Sequence, residues 1–377
     1  MARLPREWWS ACAALWTCIY AHGGIPETWL RCRTLGIPKP DRAGYRYLTI
    51  EHTIWRVGLT AINRSLHPWL EEWVPDDLAS LRRGTGCEKN YEKFNSAMAT
   101  AGLHPIAGAK LDLEKCFDNV LAEQTFELLT ELGASHQLVT LLREFDLGHE
   151  RYIEVGGCVC RSAVRPEKSL PQGDPLSPLR LGVLMAAWRH EMRRLHPQIS
   201  CGVCVDDRVV WAQGRDCVPK LKAALATNAS LERDLAMKDN VSKREYFVSN
   251  QLQFKRMQTL MGVEPRKHVT LLGIRFATTG WAHPQHDLSD AFETMTYRAA
   301  RVQMAGGAAR TKRAELQQLV LSLATWVGTG VLSQPLIKPA DAAGAQPEVR
   351  STQAILHEES SNSRGPLRAP PSVASRR

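Results

Sequence analysis

Three carboxylates sit where carboxylates are out of place. Asp206 and Asp207 are adjacent in "GVCVDDRVVW" (202–211), inside a β-branched, apolar run. Asp112 ends the strand-like stretch of "HPIAGAKLDLEKCFDNV" (104–120). Val203, Cys204 and Val205 lead into the pair, and Val209, Val210 and Trp211 follow it. β-Branched residues on both sides favour strands, and Asp-Asp is a reasonable turn pair. The stretch therefore reads as a tight hairpin turning at Asp206-Asp207. In apolar surroundings two ionised carboxylates repel each other and lose hydration. One solution leaves them in water as an ordinary surface turn. The other holds a divalent cation between them, and hard cations such as Mg²⁺ take carboxylate oxygens.

The elements that must position these groups follow from periodicity. Leu4, Trp8, Cys12, Leu15, Trp16 and Ile19 fall at helical spacing, and Gly23-Gly24 ends that helix. Short β-prone pieces follow, then a helix over 51–72 with Ile54, Val57, Leu59, Ile62, Leu66 and Leu70 as its stripe. "LRRGTGCEKN" (81–90) is a Gly-rich basic loop. A strand ends near Asp112, and 121–145 is helical in two pieces broken at Gly133. A hairpin turns at Gly156-Gly157. The loop "SLPQGDPLSP" opens a helix to about Leu195, with Leu181, Leu184, Met185 and Trp188 on one side. After the Asp-Asp hairpin come a helix over 217–235, the strand "REYFVSN" and one more strand, "VTLLGIRF" (269–276). Strand–helix–strand–strand–helix–strand is the order of a split βαβ, ferredoxin-like sheet. Residues 287–327 read as basic helices, and the Pro-, Ser- and Arg-containing stretch from about Ser333 as disordered.

Composition sets outer bounds. At 377 residues and 44% apolar, the chain can build a sizeable core and more than one domain. A net charge of +9 suits a polyanionic partner, nucleic acid before membrane surface. No apolar run reaches the roughly 18 residues of a spanning helix. Glu7 and the two Trp beside it spoil the opening segment as a signal peptide. The ten cysteines have no framework spacing, and Cys201-Gly-Val-Cys204 has no second pair at zinc-ligand distance. They are expected to be reduced, mostly buried thiols of an intracellular protein.

Taken in order, "KLDLEKCFDNV", "LPQGDPLSP", "CVDD" and "NVSKREY", with "LLGI" beyond, resemble the reverse transcriptase domain. The likeness is to the type carried by non-LTR (LINE-like) retrotransposons and group II introns. It spans roughly residues 5–330 and implies an α+β right-hand polymerase. Fingers are expected in 1–100 (with 120–170 contributing), a ferredoxin-like palm in 101–280, thumb-like helices in 281–332 and a disordered tail in 333–377. Asp112, Asp206 and Asp207 match the family's catalytic, metal-binding carboxylates, implying two Mg²⁺ ions for which Mn²⁺ can substitute. Phe117 matches the aromatic that excludes a ribose 2′-hydroxyl, its alternative being a plain core Phe. Gln172 and Gly173 match the loop that touches nucleotide and template. Lys39 and Arg46 match the residues that grip the triphosphate, or else form a solvated basic loop. Lys243 matches a Lys that could protonate pyrophosphate, or is an exposed helix-end Lys. The implied partners are an RNA template, a DNA primer and dNTPs, with no membrane and no indication of oligomeric state. A nuclear site suits an element that copies into the genome, and nothing in the sequence fixes it.

The chain departs from the family pattern in three places. Cys204 stands where Tyr or Phe usually precedes x-Asp-Asp, Tyr47 replaces the Pro of Arg-Pro-Ile, and "LRRGTGC" only loosely matches the family's Gly-Phe-Arg loop. No endonuclease, zinc-knuckle or RNase H pattern accompanies the domain, which points to a domain or fragment of a longer element product. Two functions therefore stand: an RNA-directed DNA polymerase, and a catalytically decayed RNA-binding protein on the same fold. An intron-maturase variant lacks its basic splicing domain, and an RNA-templated RNA polymerase is disfavoured by Phe117 and the motif spacing.

Overall fold

The first helix, α1 (Arg6–His22), buries Cys12, Trp16 and Ile19, and Gly23 ends it at φ 75°. Leu15, expected on the same stripe, is exposed. This computed structural model describes residues 4–39, 44–79, 81–82, 86–271 and 274–278, with isolated positions after that. Apart from those positions, the basic stretch 287–327 and the tail from Ser333 lie outside the described residues, as do Leu272 and Gly273.

Two sheets organise what is described. α2 (Glu27–Leu30) leads into β1 (Arg31–Pro38), and β2 (Tyr45–Ile50) returns antiparallel to it. The helix expected over 51–72 forms as two, α3 (Thr53–Ser65) and α4 (His67–Trp73). Pro68 sits in the first turn of α4, where its missing N–H leaves nothing unsatisfied; a continuous helix would have needed that bond. Then come β3 (Leu78–Ala79), α5 (Glu88–Ala99) and β4 (Ile106–Leu111). They are followed by α6 (Cys116–Asn119), α7 (Ala122–Glu131) and α8 (His136–Gly148). β5 (Glu150–Val155) and β6 (Cys158–Val159) form the Gly156-Gly157 hairpin and complete a first sheet of order β2-β1-β5-β6.

α9 (Ser177–Leu195) precedes the hairpin of β7 (Ile199–Cys204) and β8 (Asp207–Gln213). α10 (Cys217–Asp234), β9 (Glu245–Val248) and α11 (Gln251–Met261) follow. The second sheet has the order β3-β7-β8-β4-β9. Without its edge strand β3 this is the ferredoxin-like arrangement that the element order implied. α9 and α10 supply the apolar cover: Leu181, Leu184, Met185, Trp188, Leu221 and Leu225 are all buried, at about 1.5–3 kcal/mol per large side chain relative to exposure. A smaller core forms where Phe94 of α5 meets Trp211 and Phe247 edge-on. Gly108 of β4 is needed there, because a Cβ would fall 2.2 Å from the Phe247 ring.

The expected strand "VTLLGIRF" is instead two, β10 (His268–Leu271) and β11 (Ile274–Ala277), paired antiparallel. α5 and α11 are mostly polar helices that periodicity alone did not mark. No helix among the described residues is long and apolar enough to cross a membrane.

Candidate active site

The ladder between β4 and β8 pairs Leu111 with Arg208. Asp112 directly follows that pair, close enough for its charge to raise both Asp206 and Asp207. On the other side, Cys204 pairs with Asp207. The two-residue turn is therefore Val205-Asp206, not Asp206-Asp207, and Asp207 opens β8. Val205 has φ 59°. A positive φ at the first central position is what a type II′ turn requires, and a β-branched residue there is strained. The hairpin holds that strain at the tip that presents Asp206.

Asp112 is fixed from its other side. Its carbonyl accepts the Asn240 N–H at 2.9 Å, and Glu114 N–H donates to the Lys238 carbonyl at 2.7 Å. This tie brings the single 3₁₀ turn Val241–Lys243 beside it. Lys243 Nζ lies 3.6 Å from the Asp112 carboxylate, and Lys110 Nζ lies 3.8 Å from Asp207. Sequence reasoning missed Lys110; its one signal is a charge at the partly exposed end of a buried strand. Asp206 is pushed above the usual carboxylate range by burial first, then by Asp207 and Asp112. Asp207 is also raised, by burial, with Lys110 opposing and Asp112 adding to the rise. Below them the Cys116 thiol is driven up to about 12 by burial and by the Asp206 charge.

Half-exposed carboxylates that repel one another form an all-oxygen donor set of the kind that hard divalent cations take. No group of three or more His, Cys, Asp or Glu side chains among the described residues stands ready-made for an ion. The two lysines now neutralise part of the charge.

Phe117, Gln172 and Gly173 meet at the loop before α9. Phe117, half-buried on α6, packs against the main core, and its carbonyl accepts the Leu170 N–H at 2.7 Å. Gln172 O accepts the Thr49 N–H of β2 at 2.8 Å. Gly173 has φ 126°, and a Cβ there would come 2.5 Å from Thr49 O. Only glycine allows this approach. Arg46 is exposed on β2, opposite Ile37. Lys39 donates its backbone N–H to Gly44 O. Among the described residues neither cation contacts the three acids.

The expectation that every cysteine is reduced does not hold. Cys204 is paired with Cys87 as a disulfide, Cα atoms 5.6 Å apart. Spacing cannot show a pairing across 117 residues of sequence. The other eight are free; Cys18, Cys158 and Cys160 are exposed and the rest are buried. Closing so long a loop stabilises by about 2–4 kcal/mol in typical cases. Cys204→Ser should therefore lower the melting temperature without reductant and leave it unchanged with reductant. Equal melting curves for variant and parent under both conditions would refute the bond.

A sequence comparison with curated proteins finds no match. Among solved structures the chain is similar to apo telomerase from Candida tropicalis, with TM-score 0.52 and 10% identity, covering 89% of this chain and 64% of that one. It is similar to the same protein in complex with a TWJ fragment of telomeric RNA: TM-score 0.51, 10% identity, 86% and 58% covered. The form truncated from the C-terminal domain gives 0.50, 12%, 72% and 59%. The chain thus spans less than two thirds of each. At such identities the likeness establishes the fold alone, that of a right-hand polymerase. The family model described as "Reverse transcriptase (RNA-dependent DNA polymerase)" matches residues 37–276, well over half of the sequence and every element of the site. The chain belongs to the reverse transcriptase family.

Proposed function

We propose that this chain is the RNA-directed DNA polymerase domain of a retroelement of the non-LTR type, adding dNTPs to a primer 3′-hydroxyl on an RNA template. The observation that carries the reading is the approach of Asp112, just past the end of β4, to Asp206 and Asp207 at the β7–β8 turn. In this reading β1, β2, β5 and β6 belong to the fingers and the second sheet is the palm.

Asp112, Asp206 and Asp207 would hold two Mg²⁺ or Mn²⁺ ions, which when bound supply charge neutralisation and alignment for in-line phosphoryl transfer. The chain's own residues do the rest. Arg46 and Lys39 grip the triphosphate. Gln172 and Gly173 present backbone to the nucleotide. Lys243, next to Asp112, supplies a proton to the leaving pyrophosphate. Phe117 lies under the sugar and leaves no room for a 2′-hydroxyl. Phe117→Val should raise the ratio of rNTP to dNTP incorporation by roughly 10–200-fold, the range of a small steric change in a pocket. An unchanged ratio would make Phe117 a core residue only.

The deciding experiment is extension of oligo(dT) on poly(A) with Mg²⁺ or Mn²⁺, with dNTPs and NTPs in parallel. Incorporation of dNTPs alone supports the reading, and no incorporation under any condition overturns it. A second reading, RNA binding without catalysis, is favoured by Lys110 and Lys243 on two of the carboxylates and by the tethering of Cys204, where the family carries an aromatic. It predicts salt-dependent RNA binding with no extension.

A further inference from the structure

We infer that Glu51 and Asp174 share one proton, and that this bridge positions the Gln172-Gly173 loop against β2. The inference rests on the polymerase reading only where it names that loop as nucleotide-binding.

Glu51 follows β2, and Asp174 follows Gly173. Both are buried, at 3% and 7% exposure. Asp174 Oδ1 accepts the N–H groups of Leu176 and Ser177 at 2.6 and 3.0 Å, so it caps α9 as an acceptor. Neither Glu51 oxygen has a hydrogen-bond donor. The Glu51 carboxyl instead meets that of Asp174.

None of the cations facing the pair hydrogen-bonds either carboxyl. Arg180 of α9 is held by Asp146 of α8 at 2.5 Å and by Thr125 at 3.1 Å. Arg151 of β5 donates to His149 and Ser169 through Nε and Nη1, while its buried Nη2 has no partner and its charge opposes the rise of Glu51. Arg56 of α3 is exposed. Cys32 of β1 stays a neutral thiol, pushed up to about 12 by burial and then by Glu51. Two carboxyls that meet in a buried site with no cation hydrogen-bonded to either are satisfied only if one of them is protonated. Asp174 is already committed as an acceptor, so Glu51 carries the proton. Burial and Asp174 together raise Glu51 to about 10.

The pair joins two segments that are already in register through the Thr49 N–H to Gln172 O bond. Losing the proton would put two charges at this seam. Because the folded value is raised above the ordinary 4.5, Glu51 stabilises fully below about 4.5 and loses that contribution as pH climbs towards about 10. Gln at this position donates an N–H without titrating.

The test compares the full chain with its Glu51→Gln and Glu51→Ala variants by thermal stability from pH 5 to 10 and by hydrogen exchange at the Thr49 amide. The Gln variant should gain stability over the parent, by an amount that widens as pH rises, with Thr49 protection kept. The Ala variant should lose about tenfold in Thr49 protection, the worth of one buried hydrogen bond. A Gln variant offset from the parent by the same amount at every pH overturns the shared proton. Unchanged Thr49 protection in the Ala variant overturns the positioning role. If the Ala variant does not fold, the pH profile of the Gln variant decides alone. Neither measurement needs catalysis, so absence of primer extension would refute the polymerase reading without touching this result. Where extension occurs, the KM for dNTP should rise about tenfold in Glu51→Ala and stay unchanged in Glu51→Gln.

Discussion

Asp206→Asn will abolish dNTP incorporation without destabilising the fold. The carboxylate stands at the tip of the β7–β8 hairpin, and its protonation is raised by burial, then by Asp207 and Asp112. Its negative charge is therefore disfavoured in the bare protein. Removing it relieves repulsion, so the melting temperature of the variant should equal or exceed that of the parent near pH 7. An Asp kept for structure would give the reverse. Metal-ion charge stabilisation is worth several kcal/mol in a transition state. At about 1.4 kcal/mol per tenfold, its loss lowers the rate by on the order of 10³-fold or more. Mg²⁺ should also raise the melting temperature of the parent, since an ion bound only by the folded state stabilises it. The variant should show a smaller rise or none. Undiminished extension by Asp206→Asn would remove Asp206 from the catalytic set. A lower melting temperature with an intact Mg²⁺ response would make it a turn residue.

Much of this site was legible in the sequence, and what was missed shares a physical cause. "PQGDPLSP" and "CVDD" announce themselves because turn chemistry and helix initiation are local. Gly173 must be glycine to approach Thr49, and Asp174 must accept from the first turn of α9. That β4 lies beside β8 was inferable from element order; their register was not. The turn pair moved by one residue because Val205 adopts a strained positive φ that its side chain disfavours. No propensity scale would choose that conformation. The β10–β11 hairpin reads as one strand in sequence because 269–276 is β-prone on both sides of a single Gly. The Cys87–Cys204 pair and the contact of Glu51 with Asp174 are long-range meetings of residues that look ordinary in isolation. Lys110 and Arg208 were hidden differently: each is a charge inside a strand pattern whose neighbours set the reading.

Arg208 carries the last prediction. It directly follows Asp207 and, with a side chain 0% exposed, is buried between the second sheet and helices α9 and α10. Its guanidinium bonds Glu232 at 2.7 Å and lies 5.0 Å over the Trp188 ring. Asn228 Oδ1 accepts from Trp188 Nε1 at 2.8 Å and from Arg208 at 3.4 Å. Asn228 and Glu232, one helical turn apart on α10, are both buried and supply the partners this cation needs. Removing one member of a buried ion pair strands the other and costs about 3–5 kcal/mol. Glu232→Ala and Arg208→Leu should each lower the melting temperature by on the order of 10 °C. The pair Arg208→Leu with Glu232→Leu strands no charge and should recover most of that loss, since apolar replacement of a buried pair is often neutral or stabilising. The recovered protein also separates stability from function. Arg208 draws Asp206 back towards its ionised form and anchors the strand that begins at Asp207. A stable double variant with reduced extension would make the bridge a positioning device for the hairpin, whereas full extension would confine it to packing. Single variants that melt with the parent would show that the Arg208–Glu232 bridge does not form.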